Sequence, residues 1–223
     1  ALVGGLNFIF DKKPNVRDVV TLLGALITFY FSANIFLNFD GQVTQFKLAT
    51  IMPGIDISFH IEPLGIIFSM LASGVWILTH IYAIGYMRGA KEKNHSRFFF
   101  FFSVSIASVM GISFSGNLFT LFLFYELLTL ITFPLVSHKG STEALRGARV
   151  YLSILLGTSI GLQLLGIIWI YFSIGTLDFV KGGILNGSFG SLELTLLVAL
   201  FAFGIGKAAL FPFHRWLPAA MVA

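Results

Sequence analysis

Residues 117–137 read NLFTLFLFYELLTLITFPLVS, an apolar run with one charged side chain, Glu126. A second run, LTLLVALFAFGIGKAALFP at 194–212, also contains one charged side chain, Lys207. About 20 predominantly apolar residues are enough to cross the hydrocarbon core of a bilayer as an α-helix. Both runs therefore predict membrane-spanning helices, each with an ionisable group inside it.

The composition of the whole chain agrees with this interpretation. Of its 223 residues, 57% are hydrophobic and 11% charged, whereas a soluble domain has roughly 25% charged residues. Its mean hydropathy is +0.90. These values exclude a water-soluble fold and indicate an integral membrane protein. The chain has no Cys, which excludes disulfides, thiolate metal sites and Cys-ligated iron–sulfur clusters.

Six apolar runs separated by polar or Gly/Pro breaks predict six spans. They lie at 18–37, 63–87, 97–114, 117–137, 149–174 and 192–212. None shows the period-two alternation of a membrane β-barrel. We therefore expect an all-α fold, a polytopic bundle of transmembrane helices forming one domain over 1–223. Because the chain opens inside an apolar stretch and stops just after a Trp-Leu-Pro turn, we expect it to be truncated at both ends.

The basic residues predict the orientation of this bundle. With six spans, eleven Lys and Arg fall on one side and two on the other, while Lys207 lies within a span. The larger group is Lys12, Lys13, Arg17, Arg88, Lys91, Lys93, Arg97, Lys139, Arg146, Arg149 and Arg215; the smaller is Lys47 and Lys181. Loops rich in Lys and Arg stay in the cytoplasm, so we expect cytoplasmic basic loops in the inner (plasma) membrane of a bacterium or archaeon. Basic residues dispersed over short loops do not form a nucleic-acid surface.

Glu126 and Lys207 are the residues that suggest a function. A charge near the bilayer centre costs at least about 2.5–3.5 kcal/mol and normally faces a partner, a cavity or water. At 1.5 Å per residue, Glu126 lies about 14 Å along its helix from Asn117, and Lys207 lies about 21 Å from Glu193. We predict that the two form a buried pair in a proton path. A static ion pair that only fixes helix packing is the alternative.

Two prolines follow Lys207, at Pro212 and Pro218. Proline removes a helical hydrogen bond, and non-helical backbone in a membrane persists only within protein or beside a water-filled cavity. The prolines therefore predict a discontinuous helix near Pro212, a feature that transporters use at ion sites. The alternative is that Pro212 only marks where the helix leaves the membrane.

Three histidines are candidate relay residues. His80 lies inside the second span, where a hydrogen-bonded packing role is the alternative. His138 and His214 lie at the predicted cytoplasmic ends of their spans, where histidines load protons or are merely interfacial.

The sequence predicts no cofactor. GIGK lacks the Gly that a phosphate-binding loop requires six residues before its Lys, because Phe201 occupies that position. Only His80 lies clearly within a span, too few histidines for a membrane haem with ligands on facing helices. Metal-ligand clusters and catalytic triads are also missing from the spans, so we expect neither a metal site nor redox chemistry in this chain.

Three longer motifs carry a family resemblance. FHIEPLGIIFSMLASGVWILTHIYAIGYM (59–87), LFYELLTLITFPLV (123–136) and GIGKAALFPFHRWLPAAM (204–221) resemble the antiporter-like membrane subunits of respiratory NADH:quinone oxidoreductase, membrane-bound hydrogenases and Mrp cation/proton antiporters. The segments FYELLTL, PLVSHKG and GARVYL are most similar to the D-type Mrp subunit. The resemblance implies that Glu126 and Lys207 match the Glu and Lys of the family's proton path, and that the chain is the N-terminal part of an antiporter-like fold.

We therefore predict a proton-translocating subunit of a monovalent cation/proton antiporter complex. Its partners would be other membrane subunits, protons, sodium and the lipid bilayer. The first alternative is a proton-pumping membrane subunit of a respiratory NADH:quinone oxidoreductase or energy-converting hydrogenase. The second is a structural membrane subunit with a static ion pair.

Overall fold

The computed structural model describes residues 2–185 and 187–221, which divide into two compact units. Unit 1 contains the residues up to Thr44 together with His60–Phe114, and unit 2 contains Gln45–Phe59 and the chain from Ser115 onward. The prediction of a single transmembrane domain stays a prediction.

Unit 1 is helical. Its elements are α1 (Leu2–Ile9), α2 (Pro14–Leu37), α3 (Pro63–Gly89) and α4 (His95–Ser113). Pro14 and Pro63 each open a helix, where the missing N–H leaves no helical hydrogen bond unmade. Within the unit, α2 packs against α3, and α4 packs against both α1 and α3.

A β-hairpin lies between α2 and α3 in the chain, a feature that the sequence analysis did not predict. Its strands are β1 (Thr44–Met52) and β2 (Ile55–Ile61). Gly54, at the turn, has a φ of +78°, which suits a residue without Cβ. Lys47 and Asp56 pair across the hairpin at 2.6 Å, and the hydrogen bond from Lys47 lowers the pKa of Asp56 below its ordinary value.

Unit 2 holds the remaining helices. They are α5 (Leu118–Val136), α6 (Thr142–Thr158), a π-helical turn (Ser159–Gln163), α7 (Leu164–Ile174), α8 (Ser191–Gly204), two 3₁₀ turns (Gly206–Ala208 and Phe213–Arg215) and α9 (Trp216–Ala220). The side chain of Asn117 begins α5 by accepting a hydrogen bond from the backbone of Thr120 at 2.7 Å, and Ser141 caps α6 in the same way. These caps satisfy amide groups that the first helical turn leaves unpaired.

The prediction of an all-α transmembrane bundle is confirmed, with the hairpin as a minor addition. Among the residues that the structure describes, five helical segments are long and apolar enough to cross a membrane: α2, α3, α4, α5 and the continuous stretch Thr142–Ile174. Within the sixth predicted span, 192–212, the regular helix α8 ends at Gly204 and is a shorter apolar helix, so the extent of this span stays a prediction.

Candidate functional site

The break in the helix begins at Ile205, directly after the end of α8, and so earlier than the prolines predict. Backbone hydrogen bonds then continue in 3₁₀ form, from Ala208 to Ile205 and from Ala209 to Gly206. Ala209 has a φ of +52°, in the left-handed region that interrupts a right-handed helix. Lys207 therefore lies on an irregular segment between α8 and α9, and not fourteen residues into a continuous helix.

Two glycines let this segment lie close against the residues at the end of α6 and in the π-helical turn. A Cβ on Gly204 would lie 2.6 Å from the backbone nitrogen of Gln163, and a Cβ on Gly206 would lie 2.2 Å from the hydroxyl oxygen of Thr158. Both distances are far inside van der Waals contact. The glycines of GIGK thus serve close packing around Lys207.

The ammonium group of Lys207 is held by α5. Nζ donates to the hydroxyl of Thr129 at 2.6 Å and to the backbone carbonyl of Tyr125 at 2.9 Å. It also lies 3.3 Å from the centroid of the Tyr125 ring, within the range of a cation–π interaction. The backbone N–H of Lys207 donates to the Tyr125 hydroxyl at 3.1 Å. We call Tyr125 and Thr129 the lysine cradle.

Glu126 follows Tyr125 directly, but its carboxylate is not bonded to Lys207. Both carboxylate oxygens are buried and have no hydrogen-bond partner in the described part of the chain. The nearby hydroxyl of Ser159, on the π-helical turn, donates instead to the carbonyl of Leu155 at 2.7 Å. A buried polar group without a partner is costly, so Glu126 is suited to receive a proton, a water molecule or the Lys207 ammonium group.

More hydroxyl and aromatic groups lie next to the cradle. Thr132, one turn from Thr129, is 2.6 Å from the hydroxyl of Tyr151 on α6, and Tyr151 makes an edge-to-face contact with Trp216. The indole N–H of Trp216 donates to the carbonyl of Gly206 at 2.8 Å. The helix break therefore leaves the Gly206 carbonyl bonded to Trp216.

The predicted break residues lie beyond the point where the helix ends. Pro212 immediately precedes the turn Phe213–Arg215, so it lies in the discontinuous region but does not start it. Pro218 lies inside α9, in its first turn, where proline is tolerated. Pro218 therefore belongs to the short helix that follows the break.

The three candidate histidines lie on α3, after the end of α5 and in the turn Phe213–Arg215. His80 is buried in α3 of unit 1. His138 follows the end of α5, with its backbone N–H bonded to Leu135, and His214 is exposed and stacks on Phe211. In the described part of the chain, neither His138 nor His214 is among the hydrogen-bond partners of Lys207.

The sequence analysis missed Tyr125, Thr129, Tyr151 and Trp216. The sequence offered one signal for two of them: Tyr125 and Thr129 are four residues apart and therefore lie on the same face of α5. In the described residues, no group of three or more His, Asp or Glu is placed to hold a metal ion.

The fold and the site define a polytopic helical membrane protein with an ionisable side chain on an interrupted helix. Residues 115–223 match the family model described as NADH:quinone oxidoreductase/Mrp antiporter, TM. Residues 51–99 match the model for the NADH-ubiquinone oxidoreductase (complex I) chain 5 N-terminus. The chain belongs to the family of antiporter-like membrane subunits of Mrp antiporters and NADH:quinone oxidoreductases.

Individual relatives come from both branches of this family. The chain is 31% identical, over 97% of its length, to the antiporter subunit mnhA2 of Staphylococcus haemolyticus. It is 32% identical, over 99% of its length, to the chloroplastic NAD(P)H-quinone oxidoreductase subunit 5 of Ipomoea purpurea. It spans 27% and 33% of these two relatives. The similarity to the D-type subunit stays a prediction.

A solved structure shares the fold. The Mrp complex from Dietzia sp. contains a chain that superimposes with a TM-score of 0.77 at 24% identity, covering 98% of this chain and 41% of that one. The prediction of an antiporter-like fold is thereby confirmed, and the chain is a multi-pass membrane protein.

Proposed function

We propose that this chain is part of a proton-translocating subunit of a monovalent cation/proton antiporter complex, with Glu126 and Lys207 in the proton path. One observation carries the proposal. Lys207 lies on the interrupted segment after α8, and its ammonium group is bonded to Tyr125 and Thr129 of α5. Tyr125 is the neighbour of Glu126, whose carboxylate is buried and unpaired. Ionisable groups kept inside apolar helices at this cost normally serve ion or proton transfer.

The geometry supports an exchange of Lys207 between two positions. In the cradle, its charge is held by neutral oxygens and a ring, while Glu126 is on the same turn of α5. An ionised Glu126 would draw the ammonium group towards itself, and a protonated Glu126 would release it to the cradle. Protonation of one group would thus move the other, which is what a proton relay requires.

A second candidate is a proton-pumping membrane subunit of a respiratory NADH:quinone oxidoreductase or energy-converting hydrogenase. It is favoured by the match of residues 51–99 to the complex I chain 5 model and by the relative named subunit 5. Either way, redox chemistry would belong to other subunits. The gene neighbourhood separates the candidates, because a respiratory complex requires redox subunits encoded with it and an antiporter does not.

The setting we propose is the plasma membrane of a bacterium or archaeon, with the basic loops in the cytoplasm. The relatives are described as subunits of larger assemblies, which supports the proposal that this chain has other membrane subunits as partners. Sodium is the cation that we propose is exchanged for protons. We propose no nucleic-acid partner, no resident metal site and no organic cofactor for this chain.

The test uses the full-length protein in its assembled complex, reconstituted in vesicles. We expect Glu126→Gln and Lys207→Ala each to abolish most cation-driven proton movement, while leaving assembly intact. Lys181→Ala, which removes an exposed loop charge, is the matched control and should transport normally. Near wild-type transport by Glu126→Gln would establish the alternative, a static structural residue.

A further inference from the structure

Unit 1 contains a second set of buried polar groups, which the proposed proton path does not use. Asn7, Trp76, His80 and Ser103 are 0%, 5%, 0% and 2% exposed. The amide nitrogen of Asn7, the indole nitrogen of Trp76, both ring nitrogens of His80 and the Ser103 hydroxyl have no hydrogen-bond partner within the described residues. We call these four residues the polar seam.

Contacts along α4 bring the polar seam together. His80 packs edge-to-face on Phe99, at 5.0 Å between ring centroids, and Trp76, one turn earlier on α3, packs on Phe102 at 6.4 Å. Ser103 lies one turn beyond Phe99, so these two residues share a side of α4. His80 and Trp76 therefore lie at the interface between α3 and α4, and Ser103 lies on α4, directly after Phe102 in the chain.

The fourth member reaches the seam from α1. Gly4 packs so closely on α4 that a Cβ there would lie 3.3 Å from the Cβ of Ser103. Asn7 lies one turn after Gly4, and its side-chain oxygen accepts a hydrogen bond from Thr21 on α2 at 2.7 Å. Only the amide nitrogen of Asn7 is left to bond elsewhere.

We propose that the polar seam binds ordered water inside unit 1. Nearly all buried polar groups in proteins have a hydrogen-bond partner, protein or water, and a buried water typically makes about three such bonds. The chemistry of the seam matches water: Trp76 and Asn7 offer N–H donors, neutral His80 offers one donor and one acceptor, and Ser103 offers both. A cation would be repelled by the two donors.

The water would give His80 a route for proton exchange. The groups of α2 that act on His80 are the backbone of Asp18, which lies close to the ring, and the charged side chains of Asp18 and Arg17. Asp18 is buried between Arg17 and Arg88, and the Arg17 guanidinium also lies over the ring of Phe99, at 5.4 Å from its centroid. The seam therefore adjoins a charged cluster at the predicted cytoplasmic end of α2. His80 becomes a hydrated buried histidine, a third interpretation beside relay and dry packing.

The experiment is X-ray hydroxyl-radical footprinting of the assembled full-length complex, with Trp76 as the reporter. Radicals formed from bound water oxidise adjacent side chains even when these are buried. We expect marked oxidation of Trp76 in the wild type, and a several-fold decrease in His80→Phe, which keeps a ring against Phe99 but removes both nitrogens. Ser103→Ala, a milder change, should also decrease it.

The control is Ser105→Ala on the same helix, because the Ser105 hydroxyl already donates to the carbonyl of Phe101 at 2.8 Å. It should leave Trp76 oxidation unchanged. The proposal would be overturned if Trp76 were not oxidised in the wild type. It would also be overturned if Trp76 were oxidised in His80→Phe and Ser103→Ala as much as in the wild type. Lys207→Ala should not alter the footprint, so the result is independent of the function proposed above.

Discussion

The Lys207 ammonium group lies 3.3 Å from the centre of the Tyr125 ring and 2.9 Å from the Tyr125 carbonyl oxygen. Tyr125 immediately precedes Glu126, the residue from which a counter-charge was expected. The lysine is therefore stabilised by a neutral carbonyl, a hydroxyl and a ring face, which are weaker partners than a carboxylate. A charge held in this way can leave its site more easily than one in a close ion pair.

Replacing Thr129 tests whether the cradle positions Lys207. Thr129→Val keeps the side-chain shape but removes the oxygen that lies 2.6 Å from Nζ. Loss of a hydrogen bond to a charged group costs about 1.5–3 kcal/mol, so we expect transport in vesicles to fall by about tenfold or more. The complex should still assemble, because the Thr129 side chain makes its other hydrogen bond only within α5.

The matched variant is Thr129→Ser, which restores the hydroxyl and should recover most of the transport rate. The two variants should also differ in the pH dependence of transport, since only valine alters what holds the ammonium group. Equal rates and equal pH profiles for valine and serine would show that Thr129 has only a packing role.

Gly206→Ala tests the close approach that places the broken segment. The added Cβ would lie 2.2 Å from the Thr158 hydroxyl, so the segment carrying Lys207 must shift. We expect lower thermal stability of the full-length complex and loss of transport. Adding Thr158→Ala removes the opposing oxygen and should partly restore both.

Gly157→Ala is the control for this series, because a Cβ there meets nothing within 4 Å. Alanine stabilises a helix interior by roughly 0.5–1 kcal/mol relative to glycine, so this variant should be as stable as the wild type or more so. Equal damage from Gly157→Ala and Gly206→Ala would contradict the packing argument.

The spans and the two central charges could be predicted from the sequence, because each depends on local properties. Apolar runs of sufficient length define helices whatever their neighbours, and Glu126 and Lys207 stand out as the charges inside those runs. Asn117 marks the start of α5 because an Asn side chain is a frequent helix cap. These features require no knowledge of which helices touch.

The position of the helix break and the lysine cradle could not be predicted, because both depend on tertiary contacts. Pro212 is a strong local signal, yet α8 ends earlier, where Gly204 packs against the backbone of Gln163 and Gly206 packs against the side chain of Thr158. Tyr125 and Thr129 are unremarkable residues of an apolar helix until Lys207 reaches them from elsewhere in the chain.

Single cysteines test the predicted orientation, since the chain has none of its own. Lys93→Cys and Lys139→Cys replace exposed residues on the predicted cytoplasmic side, and Gln45→Cys and Lys181→Cys replace exposed residues on the other side. A membrane-impermeant thiol reagent should label the first pair only from the cytoplasm and the second pair only from outside. Labelling of positions 93 and 181 from the same side would refute the predicted topology.

Pro212→Ala is expected to keep transport near the wild-type rate. From the sequence alone, this proline would free the carbonyl of Ala208 and hydrate Lys207, so its removal should slow transport. In the structure, the chain has already left the helix at Ile205, and Ala209 is in the left-handed region. Alanine at 212 therefore cannot rebuild the helix around Lys207.

The measurement is cation-driven pH change in vesicles, normalised to assembled complex, with Gly206→Ala as the comparison. If the break depends on the packing of Gly204 and Gly206, Gly206→Ala should impair transport and Pro212→Ala should not. A Pro212→Ala rate as low as that of Lys207→Ala would show instead that the proline maintains the site. The two variants thus separate a break that is held by tertiary packing from one that is encoded by proline.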